Sequence, residues 1–164
     1  MSRVDYFLKL DGVEGESQDD KHKGEIEVLS WSLGATNSGS FALGSGGGTS
    51  KVNVHDMHFT KYIDKSSPTL FKFCATGKHI PKGTLTVRKA GVKEGQVEYL
   101  KVELNDVLIS SVQTSGSGAG GQLPNESLSL NFSKIEMQYK EQKPDGAAGA
   151  MTHGGWDIKK SVAI

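Results

Sequence analysis

The stretch Gln96-Val-Glu-Tyr-Leu-Lys-Val-Glu-Leu-Asn-Asp-Val-Leu-Ile-Ser-Ser-Val-Gln113 decides the fold class of this chain. Its apolar residues recur mainly at every second position, which is the period of a β-strand and not of a helix. One face carries Leu100, Val102, Leu104, Leu108 and Val112. The other face carries Val97, Tyr99, Val107 and Ile109, so we expect a long strand that is partly covered on both sides.

Similar alternation recurs along the rest of the chain. It predicts about eight strands, over residues 3–11, 25–33, 51–61, 83–89, 96–113, 128–132, 135–139 and 156–162. The apolar parity shifts near His55-Asp56 and near Ser133-Lys134, and we interpret both shifts as β-bulges. Because no repeat of fixed period is present, the pattern favours one mainly β domain, built as a compact barrel or sandwich.

The segment from Ser66 to Gly77 breaks the strand pattern. A serine before Pro68 can cap free amides, proline suits the first helical position, and Gly77 suits a left-handed helix end. These signals predict one short α-helix, from Pro68 to Thr76.

Length and composition exclude several classes of protein. The 164 residues fit a single domain over residues 1–164. Nineteen basic residues balance nineteen acidic ones, and zero net charge disfavours a nucleic-acid or membrane-surface partner. No apolar run is long enough for a membrane helix, and the charged residues 1–5 do not resemble a secretory signal. We therefore expect synthesis in the cytoplasm without a signal peptide. The single cysteine, Cys74, excludes an intramolecular disulfide.

The residue types that could take part in catalysis or ligand binding form no convincing motif. Gly116–Gly121 matches G-x-G-x-x-G, but Pro124 and an alternating strand stand where a nucleotide-binding helix must begin. His55 and His58 point to opposite faces of a strand, so they could share a metal only if the expected bulge realigned them. We therefore expect no catalytic residue, no cofactor and no metal, and favour a protein that is not an enzyme.

Nine segments along the chain resemble the haemolysin-coregulated protein (Hcp) family. They are Gly15-Glu-Ser17, Glu25-Ile-Glu-Val-Leu-Ser-Trp-Ser32, Phe59-Thr-Lys-Tyr-Ile-Asp-Lys-Ser66, Thr76-Gly-Lys-His79, Val87-Arg-Lys-Ala-Gly91, Val97-Glu-Tyr-Leu100, Val107-Leu-Ile-Ser-Ser-Val112, Leu128-Ser-Leu-Asn-Phe132 and Gly155-Trp156. Several segments in order and at matching intervals are far more specific than one motif. The resemblance covers essentially the whole chain.

The resemblance implies a fold, a function and a set of partners. The family's fold is a compact β-barrel of two sheets with a helix at the side, in agreement with the strand pattern. Its members have no catalytic centre and form the inner tube of the bacterial type VI secretion system from stacked hexameric rings. The implied partners are other copies of the chain, effector cargo, and the spike, sheath and baseplate proteins. The resemblance also implies that the protein is itself secreted through this apparatus.

Ser30 and Ser32 are the candidate channel residues. They alternate with Leu29, Trp31 and Leu33, which places a small polar face opposite an apolar one. In the family, the serine that follows this tryptophan lies on the channel wall, so the resemblance implies that role for Ser32, with Ser30 beside it. The alternative is that these are ordinary exposed strand serines.

The Gly- and Ser-rich segment from Gly34 to Ser50 is the candidate contact between copies. Its one apolar island is Phe41, Ala42 and Leu43. Connections of this length are uncommon in compact domains and tend to be functional, so we expect the island to contact a neighbouring subunit or ring. The alternative is a passive surface loop.

Two other functional classes remain open from the sequence. A small β-barrel can be a monomeric ligand- or carbohydrate-binding module, but with only two tryptophans, Trp31 and Trp156, the supply of exposed aromatic rings is poor. An enzyme requires a titratable cluster that the sequence does not reveal.

Overall fold

The computed structural model describes residues 4–38, 51–90, 96–144 and 148–164. Its elements in chain order are β1 (Val4–Leu10), β2 (Ile26–Val28), β3 (Ser30–Ser32), β4 (Ala35–Asn37), β5 (Val52–Val54), β6 (Met57–Tyr62), α1 (Ser67–Thr76), β7 (His79–Ala90), β8 (Gln96–Ser115), β9 (Asn125–Asn131), β10 (Lys134–Gln142), β11 (Ala148–Asp157) and β12 (Val162–Ala163). The mainly β fold with one short helix is confirmed. No helix in the described part of the chain is long and apolar enough to cross a membrane.

The strands form two sheets, a large one of ten strands and a small one in which β4 pairs with β5. The main path of the large sheet runs β12-β11-β10-β8-β7-β1-β2, and a second arm runs from β8 through β9 and β6 to β3. The long strand β8 joins both arms, because residues 100–105 pair with β10 and residues 108–115 pair with β9. The strand that decided the fold class from the sequence is therefore also the strand that organises the sheet.

The expected barrel needs a correction. Among the described residues no ladder joins β2 to β12, so the large sheet is not a closed barrel. The chain instead curls around its core at Leu29. Residues before it pair with β1, while the Leu29 backbone N–H donates to the Thr60 carbonyl oxygen (2.8 Å) and the residues after it pair with β6.

The described residues form twelve strands where the sequence predicted about eight. The predicted strands 25–33 and 51–61 are each divided in two, and β4 was not predicted. The predicted strand 156–162 is wrong, because β11 ends at Asp157 and a turn over residues 158–161 separates it from β12. Because β11 consists largely of small residues, its sequence shows no alternation of apolar and polar side chains. At Gly155 a small residue is required, since a Cβ there would overlap the backbone of Ile135 on the neighbouring strand.

The expected bulge near His55-Asp56 is instead a break between two strands. β5 belongs to the small sheet and β6 to the large one, so the apolar parity changes because the chain changes sheets. Near Ser133-Lys134 the chain likewise passes from β9 to β10. These two strands pair with successive halves of β8, on either side of Asp106, whose φ is +53°.

The helix is confirmed, beginning at Ser67, one residue before the predicted start. Gly77 ends it with φ +66°, and the N–H of Lys78 bonds to the Phe73 carbonyl oxygen (3.1 Å). The expected serine cap is not formed, because the Ser66 hydroxyl donates to Asp64. Leu70 and Phe73 turn towards the core.

The hydrophobic core lies between the two arms of the large sheet and under α1. Its fully buried members come from most of the strands and from the helix. They include Leu8, Leu10, Ile26, Met57, Phe59, Leu70, Ile80, Leu85, Val102, Leu104, Val107, Ile109, Leu128 and Leu130. Burial of these side chains holds the curled sheet together and leaves most of the opposite face of β3, β6 and β9 exposed, with Ser129 of β9 buried.

Candidate functional site

Four neighbouring strands present an outward face of small polar side chains. In one row across the sheet Ser32 lies opposite His58, His58 opposite Ser129, and Ser129 opposite Ser111. A parallel row consists of Ser30, Thr60, Ser127 and Gln113. We call these eight residues the polar face; six of them are exposed, Thr60 is half-buried and Ser129 is buried. Directly paired residues of an antiparallel sheet share a face, so the eight side chains are neighbours.

Many hydroxyl groups of the polar face form hydrogen bonds with one another. The hydroxyls of Ser30 and Thr60 bond to each other, and the Ser129 hydroxyl bonds to that of Ser111. At one end of the face the carboxylate of Asp56 accepts hydrogen bonds from Ser110 (2.6 Å) and Asn131 (2.8 Å). The polar face is therefore an ordered surface whose chemistry is mainly uncharged.

A buried polar cluster lies on the inner side of the same strands. The Lys61 ammonium contacts Glu126 (2.7 Å) and Asp64 (2.9 Å), and the Ser67 hydroxyl donates to Glu126 (2.7 Å). Lys61 is turned away from the polar face because its neighbours Thr60 and Tyr62 point outward. The cluster fixes the start of α1 against β6 and β9, and it keeps the charge of Lys61 off the exposed surface.

The long turn before β2 is held by an arginine clamp. The Arg88 guanidinium donates to both carboxylate oxygens of Asp19 (2.9 and 2.6 Å) and to Asp5 (3.2 Å). These hydrogen bonds hold the pKa of Asp19 well below its usual range and raise the pKa of Arg88. The cation that Asp19 contacts therefore lies within the same chain.

A second clamp on this turn is built around His22. Its two ring nitrogens contact Glu25 (2.8 Å) and Glu98 (2.6 Å), and the ring stacks on Phe7 at a centroid distance of 4.5 Å. The turn, the start of β8 and the strand β1 are thereby joined. Together the two clamps give a structural role to charged residues that the sequence left unassigned.

A third charged group sits in the middle of β8, between the half that pairs with β10 and the half that pairs with β9. Asp106 contacts Lys159 (2.7 Å) and His79 (2.8 Å). The hydrogen bond from Lys159, followed by that from His79, lowers the pKa of Asp106, and the same contact raises the pKa of Lys159. This cluster joins the start of β7 and the turn before β12 to the middle of β8.

Two exposed apolar surfaces lie at different ends of the large sheet. The first, which we call the acidic groove, encloses about 430 Å³ beside β2 and β6. Its exposed apolar residues are Leu29, Tyr62, Ile63 and Leu123, and its charged lining residues are Asp5, Glu16, Glu27 and Asp64. The second, which we call the β10–β12 edge, exposes Met137 and Tyr139 on one face of the sheet and Met151 and Val162 on the other, with Ile164 beyond the end of β12. Exposed lysines at positions 140, 143 and 160 accompany it.

The predicted site residues are only partly located by the structure. Ser30 and Ser32 are both exposed on the polar face. Phe41, Ala42 and Leu43 lie outside the described residues. Sequence reasoning missed the rest of the polar face, although the alternation of His58, Thr60 and Tyr62 with buried Met57 and Phe59 was a usable signal.

The described residues contain no group of three or more His, Cys, Asp or Glu side chains placed to hold a metal ion. His55 and His58 are both exposed, and they lie on either side of the break between β5 and β6. The ion pairs described above connect segments of the fold to one another. The geometry thus offers a binding surface and two contact surfaces.

Comparisons with known proteins decide the family. Residues 7–139 match the family model described as "Type VI secretion system effector, Hcp". The chain belongs to the Hcp family. It is 51% identical over 160 residues to Protein hcp1 of Pseudomonas aeruginosa, which covers 97% of this chain and 98% of the relative.

Solved structures agree with this membership. Hcp1 from Salmonella typhimurium has a TM-score of 0.81 and 41% identity, over 98% of this chain and 99% of that one. A second structure, described as a type six secretion system protein, has a TM-score of 0.90 and 29% identity over 99% and 100%. The family resemblance found in the sequence is confirmed, and this Hcp chain is a protein of type VI secretion.

Proposed function

We propose that this Hcp chain, acting as one domain over residues 1–164, is a structural tube subunit and not an enzyme. Six copies close into a ring, rings stack into a tube, and the lumen carries effector proteins. The observation that carries the proposal is the exposed polar face on the arm that ends at β3. A rigid sheet surface of small uncharged groups suits a wall that holds varied cargo loosely.

The polar face supports a position on the lumen wall. Ser32 and Ser30 contribute hydroxyls that donate and accept hydrogen bonds without strong charge. A strongly charged wall would hold oppositely charged cargo too tightly for release, whereas hydroxyl contacts exchange readily with water. We assign cargo contact to Ser32 and Ser30.

Two separate apolar surfaces support closure into a ring. A ring requires a heterologous interface, in which one patch meets a different patch on the next copy. The acidic groove and the β10–β12 edge lie at different ends of the sheet, and they complement each other in charge as well as in apolar character. We propose that the groove of one copy receives this edge from its neighbour.

Stacking and delivery complete the proposal. The island Phe41, Ala42 and Leu43 contacts a neighbouring subunit or the next ring. The tube meets the spike, sheath and baseplate proteins of the apparatus, and it binds no nucleic acid, inserts into no membrane and requires no cofactor. The subunit is made in the cytoplasm without a signal peptide and is then secreted through the apparatus.

A monomeric ligand- or carbohydrate-binding module is the alternative. Such a module needs exposed aromatic rings against which a ligand can pack. Trp31 and Trp156 are instead both partly buried against the core, and the exposed rings of Tyr62, Phe71 and Tyr139 lie on three different elements, β6, α1 and β10. The tube proposal is the one that the placement of these side chains favours.

Native mass spectrometry at micromolar subunit concentration tests the proposal. We expect a hexamer as the main species. Electron micrographs of the same sample should show rings with an open centre. A monomer that persists over a wide range of concentration and salt would contradict the proposed function.

A further inference from the structure

His58 differs from three other histidines of the described chain. His22, His79 and His153 each lie against a carboxylate, from Glu25 and Glu98, Asp106 and Glu136 respectively. The exposed His58 ring has no hydrogen-bond or ion-pair partner among the described residues. Its imidazole is therefore available to a ligand.

The surroundings of His58 are uncharged on three sides. Its cross-strand neighbours are Ser32 on β3 and Ser129 on β9, and Ser111 follows on β8. Thr60 is the next outward residue of its own strand.

The other titratable groups near this face are Asp56 and Tyr62 at its two ends, the exposed His55 beside Gly34 just after β3, and Lys61 on the inner side. Asp56 is already hydrogen-bonded by Ser110 and Asn131, and Lys61 is fully buried. Within the described residues, His58 is therefore the one side chain of the polar face that can carry a positive charge.

We propose that His58 is a specificity-determining contact of the polar face and binds carboxylate groups on acidic segments of cargo. This inference rests on the proposed function, because it places the polar face on the lumen wall. In a ring, six imidazoles lie at one level, beside the hydroxyls of Ser32. Each protonated imidazole donates a charge-assisted hydrogen bond to a carboxylate. Such a bond is stronger than the hydrogen bond that a hydroxyl donates.

The consequence is a dependence of cargo affinity on pH. Histidine is the side chain whose charge ordinarily changes between about pH 5 and pH 8. Asp and Glu side chains of a peptide remain ionised over most of this range. A change in affinity with pH therefore reports on the charge of the His58 imidazole and not on that of the peptide. Acidic cargo is held at the lower pH and released at the higher one.

The test uses assembled rings and a fluorescent peptide of alternating Glu and Ser, with a Gln and Ser peptide as the uncharged probe. Binding is measured by fluorescence anisotropy at pH 6 and pH 8 for wild type, His58→Asn and His153→Asn. His153→Asn is the matched control, because His153 is also exposed but lies on β11. Native mass spectrometry first establishes that all three proteins have equal hexamer content.

We expect wild type and His153→Asn to bind the Glu peptide roughly fivefold more tightly at pH 6 than at pH 8, as for a partly exposed ion pair. His58→Asn should bind it equally at both pH values and resemble the Gln peptide. Intact rings whose preference for the Glu peptide survives in His58→Asn would overturn the inference and leave the tube intact. Absence of rings in the wild type would overturn the proposed function and this inference with it.

Discussion

Lys61 and Glu126 form a completely buried ion pair across the ladder between β6 and β9, with the ammonium nitrogen 2.7 Å from carboxylate Oε2. The pair lies behind the polar face and beneath the first turn of α1. It stabilises the junction of a strand that carries the proposed cargo surface with the helix that closes the core.

Removing one partner should therefore destabilise the fold strongly. Lys61→Met leaves the Glu126 charge buried without its cation, which costs about 3–5 kcal/mol of unfolding free energy. The double variant Lys61→Met with Glu126→Leu should recover much of this loss, because the fully buried Glu126 charge is removed and only the Asp64 carboxylate is left without its lysine. Urea denaturation followed by circular dichroism measures all three proteins. A single variant as stable as wild type would show that the pair contributes nothing.

The Arg88 clamp predicts a loss of stability in acid. The folded pKa of Asp19 is depressed, so its stabilisation is present above the unfolded-state pKa of about 4 and is lost as the pH falls below it. We expect Asp19→Asn to be less stable than wild type at neutral pH, with the difference shrinking towards about pH 2. Denaturant midpoints at several pH values measure this difference. A difference in denaturant midpoint between the two proteins that stays constant with pH would contradict the prediction.

The proposed ring contact predicts that Leu123 matters and that an equally exposed residue elsewhere does not. Leu123 and Phe71 are both 67% exposed, but only Leu123 lines the acidic groove. Leu123→Ser should weaken association by about 1–2 kcal/mol per contact, whereas Phe71→Ser on α1 should leave the hexamer unchanged. Light scattering across a dilution series measures both. Equal effects of the two changes would remove the groove from the interface.

The proposed lumen position predicts that Ser32→Glu blocks cargo and spares the ring. Like charges across a wide bore are separated by more than the Debye length of about 8 Å at physiological salt, so ring closure should survive. Cargo recovery by co-purification should fall for rings of equal hexamer content. Thr76→Glu, at an exposed position on α1, is the control and should bind cargo normally. Undiminished recovery with Ser32→Glu would take Ser32 off the channel wall.

The island Phe41, Ala42 and Leu43 predicts an assembly defect without a folding defect. Replacing Phe41 and Leu43 by Ser should leave the circular dichroism spectrum unchanged, because the apolar contact is proposed to lie between copies. Ring closure or stacking should weaken, and electron micrographs should show fewer rings or shorter tubes. Unchanged assembly would mean that the segment is a passive linker.

Local sequence signals located most elements correctly where one face of the element is buried. The alternation in residues 96–113 predicted β8, and Pro68 with Gly77 predicted α1. The same reasoning failed for β11, whose glycines and alanines carry no apolar period. It also placed Ser32 on an exposed polar face, but it did not identify His58 or Thr60 as its neighbours.

The sequence by itself determined that the chain is mainly β, that one helix interrupts the strands, and that Ser30 and Ser32 face outward. These properties depend on the alternation of side chains along one strand, which is local. Tertiary structure alone decided that Leu29 switches the strand from β1 to β6, that β8 serves both arms, and that His58 lies beside Ser32. Those relationships depend on which distant strands pair, and pairing is fixed by the shared burial of the core and not by local propensity.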